Sequence, residues 1–294
     1  MEEVTKTIAT YFAALHECNA EKFHAFWHPH GLLLGVAPDG SVVARDAAEF
    51  CAGVVARGAS ADLASHDKIL SIEIIDATCA SAKVQIALPP APTSPTPTTS
   101  PTLYTDFLTL LRDPTIGSGG EWRVISKIYS SAPLDAATDD KLLPHDFADV
   151  AAAVWDGPFG YAMANRARDA AAMAKVFHPF CNLTFATPGG VVVVDCKSFL
   201  DRVANRWSVD VHAPYAHLKD DPRAASADTL VSMDFIGPSA CRVVLKVGFP
   251  PFLYTDVLLL LKLGAACGEG REEGGWWIVA KSSGNVPFMA EDKM

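Results

Sequence analysis

The chain has 294 residues, half of them hydrophobic and 20% charged, a composition that excludes a largely disordered protein and suits two domains of ordinary size. The formal net charge is −10 and Lys and Arg nowhere cluster, so nucleic acid is not an expected partner. The longest strongly apolar run, residues 257–261, is too short to span a bilayer, and the first residues do not resemble a secretory signal. We expect a cytoplasmic protein with no membrane partner.

Seven cysteines are present, and no two of them have CxxC spacing. We therefore expect buried, reduced thiols and neither a disulfide framework nor a zinc site, and we predict no metal and no cofactor. His24, His28 and His30 lie close together in the sequence, but no carboxylate accompanies them and the group is not repeated later in the chain. This pattern argues against a set of metal ligands.

The sequence contains an internal repeat with an offset of 150 residues. The positions that recur are Tyr11 and Tyr161, Asn19 and Asp169, His28 and His178, Pro29 and Pro179, and residues 103–106 and 253–256. A repeat of this length indicates two copies of a whole domain and not a solenoid. We predict domains over residues 1–131 (copy one) and 145–288 (copy two), with a linker over residues 131–144.

Each copy is predicted to begin with two helices. Apolar residues spaced by three and four over residues 4–15 predict an amphipathic first helix in copy one. Asn19 is then expected to cap a short second helix that ends at Pro29. Asp169 and Pro179 are the corresponding cap and stop in copy two.

A third helix is predicted after Asp46 in copy one and after Asp195 in copy two, and Glu49 would complete a capping box in the first. One short strand precedes this helix and four strands follow it. The strands are predicted at residues 32–34, 69–75, 82–88, 103–111 and 122–129 in copy one, and at 182–185, 230–236, 242–249, 252–261 and 276–281 in copy two. Helices followed by an antiparallel sheet predict an α+β domain.

Two segments have no counterpart in the other copy. The proline-rich residues 89–101 are expected to form an exposed, extended loop, and residues 209–227 are an insertion in copy two. The strand face that carries Tyr104 and Leu108 is expected to pack against the sister half. The chain would then form an intramolecular pseudo-dimer, and further oligomerisation is left open.

The pattern resembles the nuclear transport factor 2-like superfamily, and within it the branch named "putative lumazine-binding". The resemblance is carried by residues 26–29, 103–108 and 122–127, and by 176–179, 253–258 and 276–281. It implies two cone-shaped domains, each with three helices packed on a curved, mainly antiparallel sheet around a cavity. Isomerases, polyketide cyclases, dehydratases and transport factors share this fold, so the fold by itself does not assign an activity.

The setting of Tyr11, repeated at Tyr161, is similar to that of the tyrosine with which ketosteroid isomerases donate a hydrogen bond to an oxyanion. The alternative is a core residue whose hydroxyl finds one partner. The carboxylate base of those isomerases would fall near Gly35, and neither copy has Asp or Glu there. Isomerase chemistry of that type is therefore disfavoured.

His28 and His178 are the only histidines that repeat, and each is a candidate general base or ligand anchor. Their alternative role is structural, with the ring bonded to a terminal carbonyl at the end of the second helix. Asp106 and Asp256 stand inside apolar strands and are candidate acids, bases or ligand contacts. If they point instead to the dimer face or a strand edge, each pairs with a lysine on the neighbouring strand or with a loop amide. These lysines are Lys127 and Lys281.

Three functions are consistent with the sequence. The first is binding of a small apolar or aromatic ligand in a pocket, with little or no catalysis. The second is a cyclase-, dehydratase- or isomerase-like enzyme that uses the repeated Tyr, His and Asp residues. The third is a protein-interaction module in which side chains such as Trp27, Phe107 or Trp122 fill the pocket and the proline-rich loop binds a partner.

Overall fold

The computed structural model describes residues 1–90, 100–117, 119–135, 144–156, 160–208, 210–264 and 274–288. The chain forms two compact units, one built mainly from residues up to Lys141 and the other mainly from residues after Leu142. They correspond to copy one and copy two. Most of the proline-rich segment and most of the linker lie outside the described residues.

Copy one is an open six-stranded sheet with three helices. Its helices are α1 (Glu2–Glu17), α2 (Ala20–Phe26) and α3 (Ala47–Arg57), and a 3₁₀ turn covers Ala61–His66. Its strands are β1 (Trp27–Val36), β2 (Val42–Arg45), β3 (Lys68–Ile74), β4 (Cys79–Leu88), β5 (Thr102–Asp113) and β6 (Glu121–Pro133). The strand order is β2-β1-β6-β5-β4-β3, and every pair is antiparallel except β1 and β6.

Copy two repeats this arrangement with more helical pieces. Its helices are α4 (Pro144–Ala151), which continues as a π-helical segment (Ala152–Asp156), α5 (Tyr161–Ala167), α6 (Ala170–Ala174), α7 (Cys196–Ala204) and α8 (Pro222–Ser226). 3₁₀ segments cover Arg206–Ser208 and Asp210–Leu218, the second within the insertion. Its strands are β7 (Phe177–Thr187), β8 (Gly190–Asp195), β9 (Thr229–Ile236), β10 (Ala240–Phe249), β11 (Phe252–Leu263) and β12 (Gly275–Pro287). The order is β8-β7-β12-β11-β10-β9, which confirms the predicted α+β class with two tandem domains.

The predicted helix caps are confirmed. Asn19 Oδ1 accepts a hydrogen bond from the backbone amide of Lys22 at 2.9 Å, and Asp169 caps α6 in the same way. Asp46 and Glu49 form the predicted capping box of α3, and Asp195 caps α7. A cap of this type stabilises a helix by about 1 kcal/mol. The caps therefore help to fix where each short helix starts.

The prediction that Pro29 and Pro179 end the second helices is wrong. Helix α2 ends at Phe26, and β1 already begins at Trp27, so Pro29 lies inside a strand. Pro179 lies inside β7 in the same way. The pairing of β1 with β6 shifts register between Trp27 and Leu32, and this irregular stretch tolerates a residue that has no N–H to donate.

The core of each copy lies between its helices and its sheet. Leu108 is buried in it together with residues of α1 and α3, and Tyr104 packs against it, as do Leu258 and Tyr254 in copy two. The prediction that this strand face packs against the sister half is therefore wrong. Since side chains alternate along a strand, Asp106 points to the same interior as Tyr104 and Leu108.

The two copies differ in which of two neighbouring strands carries a large aromatic side chain. Gly35 of β1 lies against the ring of Tyr129, and a Cβ atom at position 35 would stand 2.7 Å from a ring carbon. In copy two the corresponding pair is Phe185 of β7 and Ser283 of β12. The large side chain is thus on β6 in copy one and on β7, the counterpart of β1, in copy two. Gly35 is thus required by the position of the Tyr129 ring.

We expect Gly35→Ala to destabilise the chain by about 1–3 kcal/mol, because the added methyl group overpacks the Tyr129 ring. The combination with Tyr129→Ser should cost less than the sum of the single changes, since it removes the clash. Urea unfolding measures both values. Gly53→Ala is the matched control, because its nearest neighbour would be 3.6 Å away in Arg45. If the losses of unfolding free energy for Gly35→Ala and Tyr129→Ser simply add in the double variant, the Tyr129 ring is not the reason for the glycine.

Candidate functional site

A buried polar cluster joins helix and sheet in copy one. The hydroxyl of Tyr11 on α1 donates a hydrogen bond to Asp106 Oδ2 on β5. The Lys127 Nζ atom on β6 lies 2.8 Å from that oxygen and 2.8 Å from the Tyr11 hydroxyl. Asp106 is 0% exposed and Lys127 is 4% exposed. The predicted partner of Asp106, Lys127, is confirmed, but the pair lies in the interior and not at a dimer face or strand edge as predicted.

The fold brings these residues together through strand register and helix periodicity. Asp106 is paired with Tyr129, and Leu108 is paired with Lys127, so the lysine is the diagonal neighbour of the aspartate on the interior face. The Lys127 ammonium group also lies over the rings of Tyr11, Phe50 and Tyr129, at 5.2, 5.6 and 5.8 Å from their centroids. Aromatic faces attract a cation, so these rings hold the ammonium in place.

The protonation of the cluster follows from its burial. Burial, and then the nearby charge and hydrogen bond of Asp106, raise the pKa of Tyr11 well above its usual value. Burial lowers the pKa of Lys127, and the Asp106 carboxylate opposes this shift. Tyr11 therefore keeps its single proton at neutral pH and donates it to Asp106. A phenol has no second proton to give to an oxyanion, so this arrangement fits the alternative of an engaged core residue.

Copy two repeats the cluster with additional partners. Tyr161 donates to Asp256 Oδ2 at 2.6 Å. Lys281 and the Ser283 hydroxyl both donate to Asp256 Oδ1, and the lysine also contacts the serine. Asn165 Nδ2 donates to the Tyr161 hydroxyl at 3.2 Å. Both carboxylate oxygens of Asp256 are thus hydrogen bonded.

An arginine that the sequence interpretation missed faces each interior. Arg57 is the last residue of α3, seven residues after Phe50, and therefore lies on the same face of the helix. Its positive charge acts to lower the pKa of Tyr11, Tyr104 and Lys127, although burial outweighs it at both tyrosines. Its Nε and Nη1 atoms are buried and have no hydrogen-bond partner in the described part of the chain.

Arg206 is the corresponding residue of copy two. The offset between Arg57 and Arg206 is 149, the same as that between the two helix caps Asp46 and Asp195. A search at the offset of the caps would have found it. Arg206 Nη2 donates to Asn165 Oδ1 at 2.7 Å, and its guanidinium group lies 4.0 Å from the ring centroid of Phe249.

Half-buried tyrosines lie beside each cluster. The rings of Tyr104 and Tyr129 are 5.8 Å apart in copy one, and burial raises the pKa of both. In copy two the Tyr254 hydroxyl lies 3.3 Å from His212 Nε2, and His212 Nδ1 lies 2.9 Å from the carbonyl oxygen of Pro250. The insertion of copy two, which contains His212, therefore contacts the tyrosine that copy one leaves half-buried.

The repeated histidines lie away from the clusters. His28 is in β1, where its Nδ1 accepts a hydrogen bond from the amide of His30 and its Nε2 lies 3.4 Å from Asp113 Oδ2. Asp113 is seven residues beyond Asp106 on β5, or about 23 Å along the strand. His178 Nδ1 accepts from the amide of Phe180 in the same way. For His28 the alternative of a contact with a helix-terminal carbonyl is wrong, because β1 begins before this histidine and its ring contacts His30 and Asp113.

The described residues contain neither a group of metal-binding side chains nor a membrane-spanning helix. Among them, no group of three or more His, Cys, Asp or Glu side chains is placed to hold a metal ion. No helix within the described ranges is long and apolar enough to cross a membrane. The charged groups of the arrangement in copy one are Asp106, Lys127 and Arg57. Groups of these types can hydrogen bond to a polar molecule or neutralise its charge.

We expect Lys127→Met to destabilise the chain by about 3–5 kcal/mol, because Asp106 is left as a buried charge without its ammonium partner. The double change Lys127→Met and Asp106→Leu should recover part of this loss, since it removes both charges but leaves the Tyr11 hydroxyl without its two partners. Lys22→Met is the control: it breaks the exposed pair with Glu17 and should cost less than about 1 kcal/mol. A double variant as unstable as the single one, measured by urea unfolding, would contradict the ion-pair account.

The His28–Asp113 contact predicts a dependence of stability on pH. Burial is the main cause that lowers the pKa of His28 below 6.5. Burial acts to raise the pKa of Asp113, but hydrogen bonds from Thr115 outweigh it and the pKa lies below 3.8. In both cases the unfolded chain binds more protons between the folded and the unfolded pKa, so stability falls as the pH drops through each window.

We therefore expect the thermal midpoint to fall as the pH drops below 6.5, and His28→Gln to weaken this dependence. The Asp113 contribution should be lost separately, below 3.8. Calorimetry at a series of pH values measures the slope. An equal slope in the wild type and in His28→Gln would show that His28 does not contribute in this range.

Solved structures of several bacterial proteins are similar to this chain. A nuclear transport factor 2-like (NTF2-like) protein of unknown function from Silicibacter pomeroyi is 19% identical, over 45% of this chain and 94% of that chain, with a TM-score of 0.35. A cystatin-like protein from Caulobacter vibrioides is 20% identical, over 47% and 94%, with a TM-score of 0.31. A ketosteroid isomerase-like protein from Erwinia carotovora is 13% identical, over 45% and 96%, with a TM-score of 0.33.

Each of these matches covers about half of this chain. No curated protein matches the sequence. One family, described as "Putative lumazine-binding", matches residues 1–130 and again residues 149–282. The two matches coincide with copy one and copy two. The chain therefore belongs to this family, with one family domain in each half.

Proposed function

We propose that the protein binds a small organic molecule between the helices and the sheet, with the Tyr–Asp–Lys cluster at the base of the site. The carrying observation is the buried charged cluster itself, formed by Tyr11, Asp106 and Lys127 and repeated in copy two. A buried ion pair is weak evidence for stability, because apolar residues of similar volume often stabilise a core as well or better. Its presence in both copies supports a role beyond folding.

The residues along β5 support a binding site at one end of the interior. Leu110 and Leu108 are fully buried, Asp106 follows, and Tyr104 is half-buried at the end of the row. Trp27 and Trp122 belong to the apolar core. The row thus changes from apolar and fully buried to polar and half-buried, and ligand sites combine an apolar lining with a few polar groups in this way.

The chemistry of the site favours a flat, polar aromatic ligand. The rings of Phe50, Tyr104 and Tyr129 offer faces for stacking, and Asp106 and Lys127 offer an acceptor and a donor. The family description names lumazine, a fused heteroaromatic molecule with alternating N–H donors and carbonyl acceptors. A pteridine-like compound would match these groups, and we include this ligand class in the proposal.

An isomerase-like activity has less support. The base of such an enzyme would stand near Gly35, and the Tyr129 ring occupies the space that a side chain there would need. The repeated histidines, which could have replaced the base, contact Asp113 and local backbone. We therefore place binding before catalysis.

Native mass spectrometry of the purified chain tests the proposal, together with a thermal-shift screen of pterins, flavins and steroid-like ketones. We expect a retained small molecule or a clear rise in the thermal midpoint with one class. The near-isosteric double variant Asp106→Asn and Asp256→Asn should lose that rise, because both carboxylates are removed. Lys22→Gln, at an exposed ion pair, is the control. A bare chain that no compound stabilises would refute binding for these three classes.

A further inference from the structure

The two clusters differ in how completely their polar atoms are satisfied. Asp256 Oδ1 accepts from both Lys281 and Ser283. Asp106 Oδ1 is buried, yet it has no hydrogen-bond donor among the described residues. Buried polar atoms in folded proteins nearly always have a partner, so an acceptor left open in this way calls for an explanation.

The two arginines differ in the same direction. Arg206 donates through Nη2 to Asn165 and lies 4.0 Å from the Phe249 ring centroid, which leaves only its Nε without a partner in the described chain. Arg57 has both Nε and Nη1 buried without a partner there. The Nε–H and Nη1–H bonds leave the guanidinium group in different directions, so Arg57 has two separate buried donors, each able to bond an oxygen atom of an anionic group.

Three positions account for the difference. Leu15 of copy one stands where copy two has Asn165, which bridges Tyr161 and Arg206. Tyr129 stands where copy two has Ser283, which completes the bonds of the aspartate. Copy two also has His212, from its insertion, next to the Tyr254 hydroxyl. Copy two thus supplies from its own side chains what copy one lacks.

We infer that copy one is the ligand-binding half, and that its ligand carries an N–H or O–H donor for Asp106 Oδ1 and an anionic group, such as a carboxylate, for Arg57. This inference rests on the proposed function, which it deepens by naming the half and the chemical class. The aromatic rings of Tyr104 and Tyr129 flank the site, so the class is a small aromatic acid with a hydrogen-bond donor. In copy two Asn165 already bonds the arginine and Ser283 already bonds the aspartate, so copy two binds no such acid.

The positive charges near Tyr104 and Tyr129 in copy one are consistent with an anionic group on the ligand. Arg45 as well as Arg57 acts to lower the pKa of Tyr104, and Arg45 acts on that of Tyr129, although burial outweighs both at these residues. The carboxylate of Asp106 is already neutralised by Lys127 at 2.8 Å. The positive charge of Arg57 is therefore the one left for a ligand in this cluster.

Isothermal titration with 2-, 3- and 4-aminobenzoate tests the inference, because each isomer joins an amino donor and a carboxylate at a different spacing. Benzoate lacks the donor and aniline lacks the anion. We expect one site per chain for at least one isomer, and affinity lower by about tenfold or more for benzoate and for aniline. Arg57→Gln should weaken the isomer by about tenfold or more, and Arg206→Gln should leave its affinity within about twofold.

The stability of the unliganded variants separates binding from a structural role. Arg57→Gln removes a charge whose Nε and Nη1 make no hydrogen bond, so its thermal midpoint should equal or exceed that of the wild type. Arg206→Gln removes the bond to Asn165 and should lower the midpoint. A lower midpoint with unchanged aminobenzoate affinity in Arg57→Gln would make Arg57 structural and overturn the inference.

Other outcomes also overturn it. Two sites per chain, equal loss of affinity in Arg57→Gln and Arg206→Gln, or no binding of any aminobenzoate would each be incompatible with an acid site in copy one alone. The proposed function fails separately. A pterin, flavin or ketone that is retained or stabilises the chain, while no aminobenzoate binds, would leave small-molecule binding intact and refute the anionic ligand.

Discussion

The burial of an aspartate–lysine pair beneath a tyrosine is the constraint on which the rest of each interior depends. Asp106 and Lys127 lie on adjacent strands and Tyr11 lies on the first helix, so one cluster ties the helix to the sheet. Two opposite charges persist in an apolar interior when each is paired with the other, and further hydrogen bonds to the pair offset more of the cost of removing both charges from water. This requirement fixes the register of β5 against β6 and the rotation of α1. It also limits which neighbouring substitutions each copy tolerates.

The duplication shows how the constraint was met in two ways. In copy one a large ring on β6 packs against a glycine on β1, and in copy two a large ring on β7 packs beside a serine on β12. The large ring stands on a different strand in each copy, but the total side-chain volume at this place is roughly the same, as the close packing of protein interiors requires. The serine gained in this exchange, Ser283, is also the group that completes the bonds of Asp256. Packing and polar satisfaction are therefore linked at one position.

Much of the fold could be predicted from the sequence, because its signals are local. Spacing by three and four identified α1, and Asn19 and Asp46 marked the starts of their helices. The short strands β2 and β8 were missed, since four to six half-buried residues beside a glycine turn give no clear alternation. The orientation of β5 was wrong because both of its faces are apolar: Phe107 and Leu108 are each fully buried. Periodicity alone cannot tell which face meets the helices.

The site could be predicted only in part, because its members come from different segments. The exact 150-residue offset found Tyr11 and Asp106 but passed over Arg57, which recurs at 149 after a change in the length of the preceding turn. The difference that distinguishes the two clusters is not part of any repeated motif. It lies in whether Leu15 or Asn165 stands beside the arginine, and Tyr129 or Ser283 beside the carboxylate. These side chains, together with His212, thus separate a cluster whose carboxylate is fully hydrogen bonded from one whose carboxylate needs a ligand, which is why contacts and not residue types distinguish the two halves.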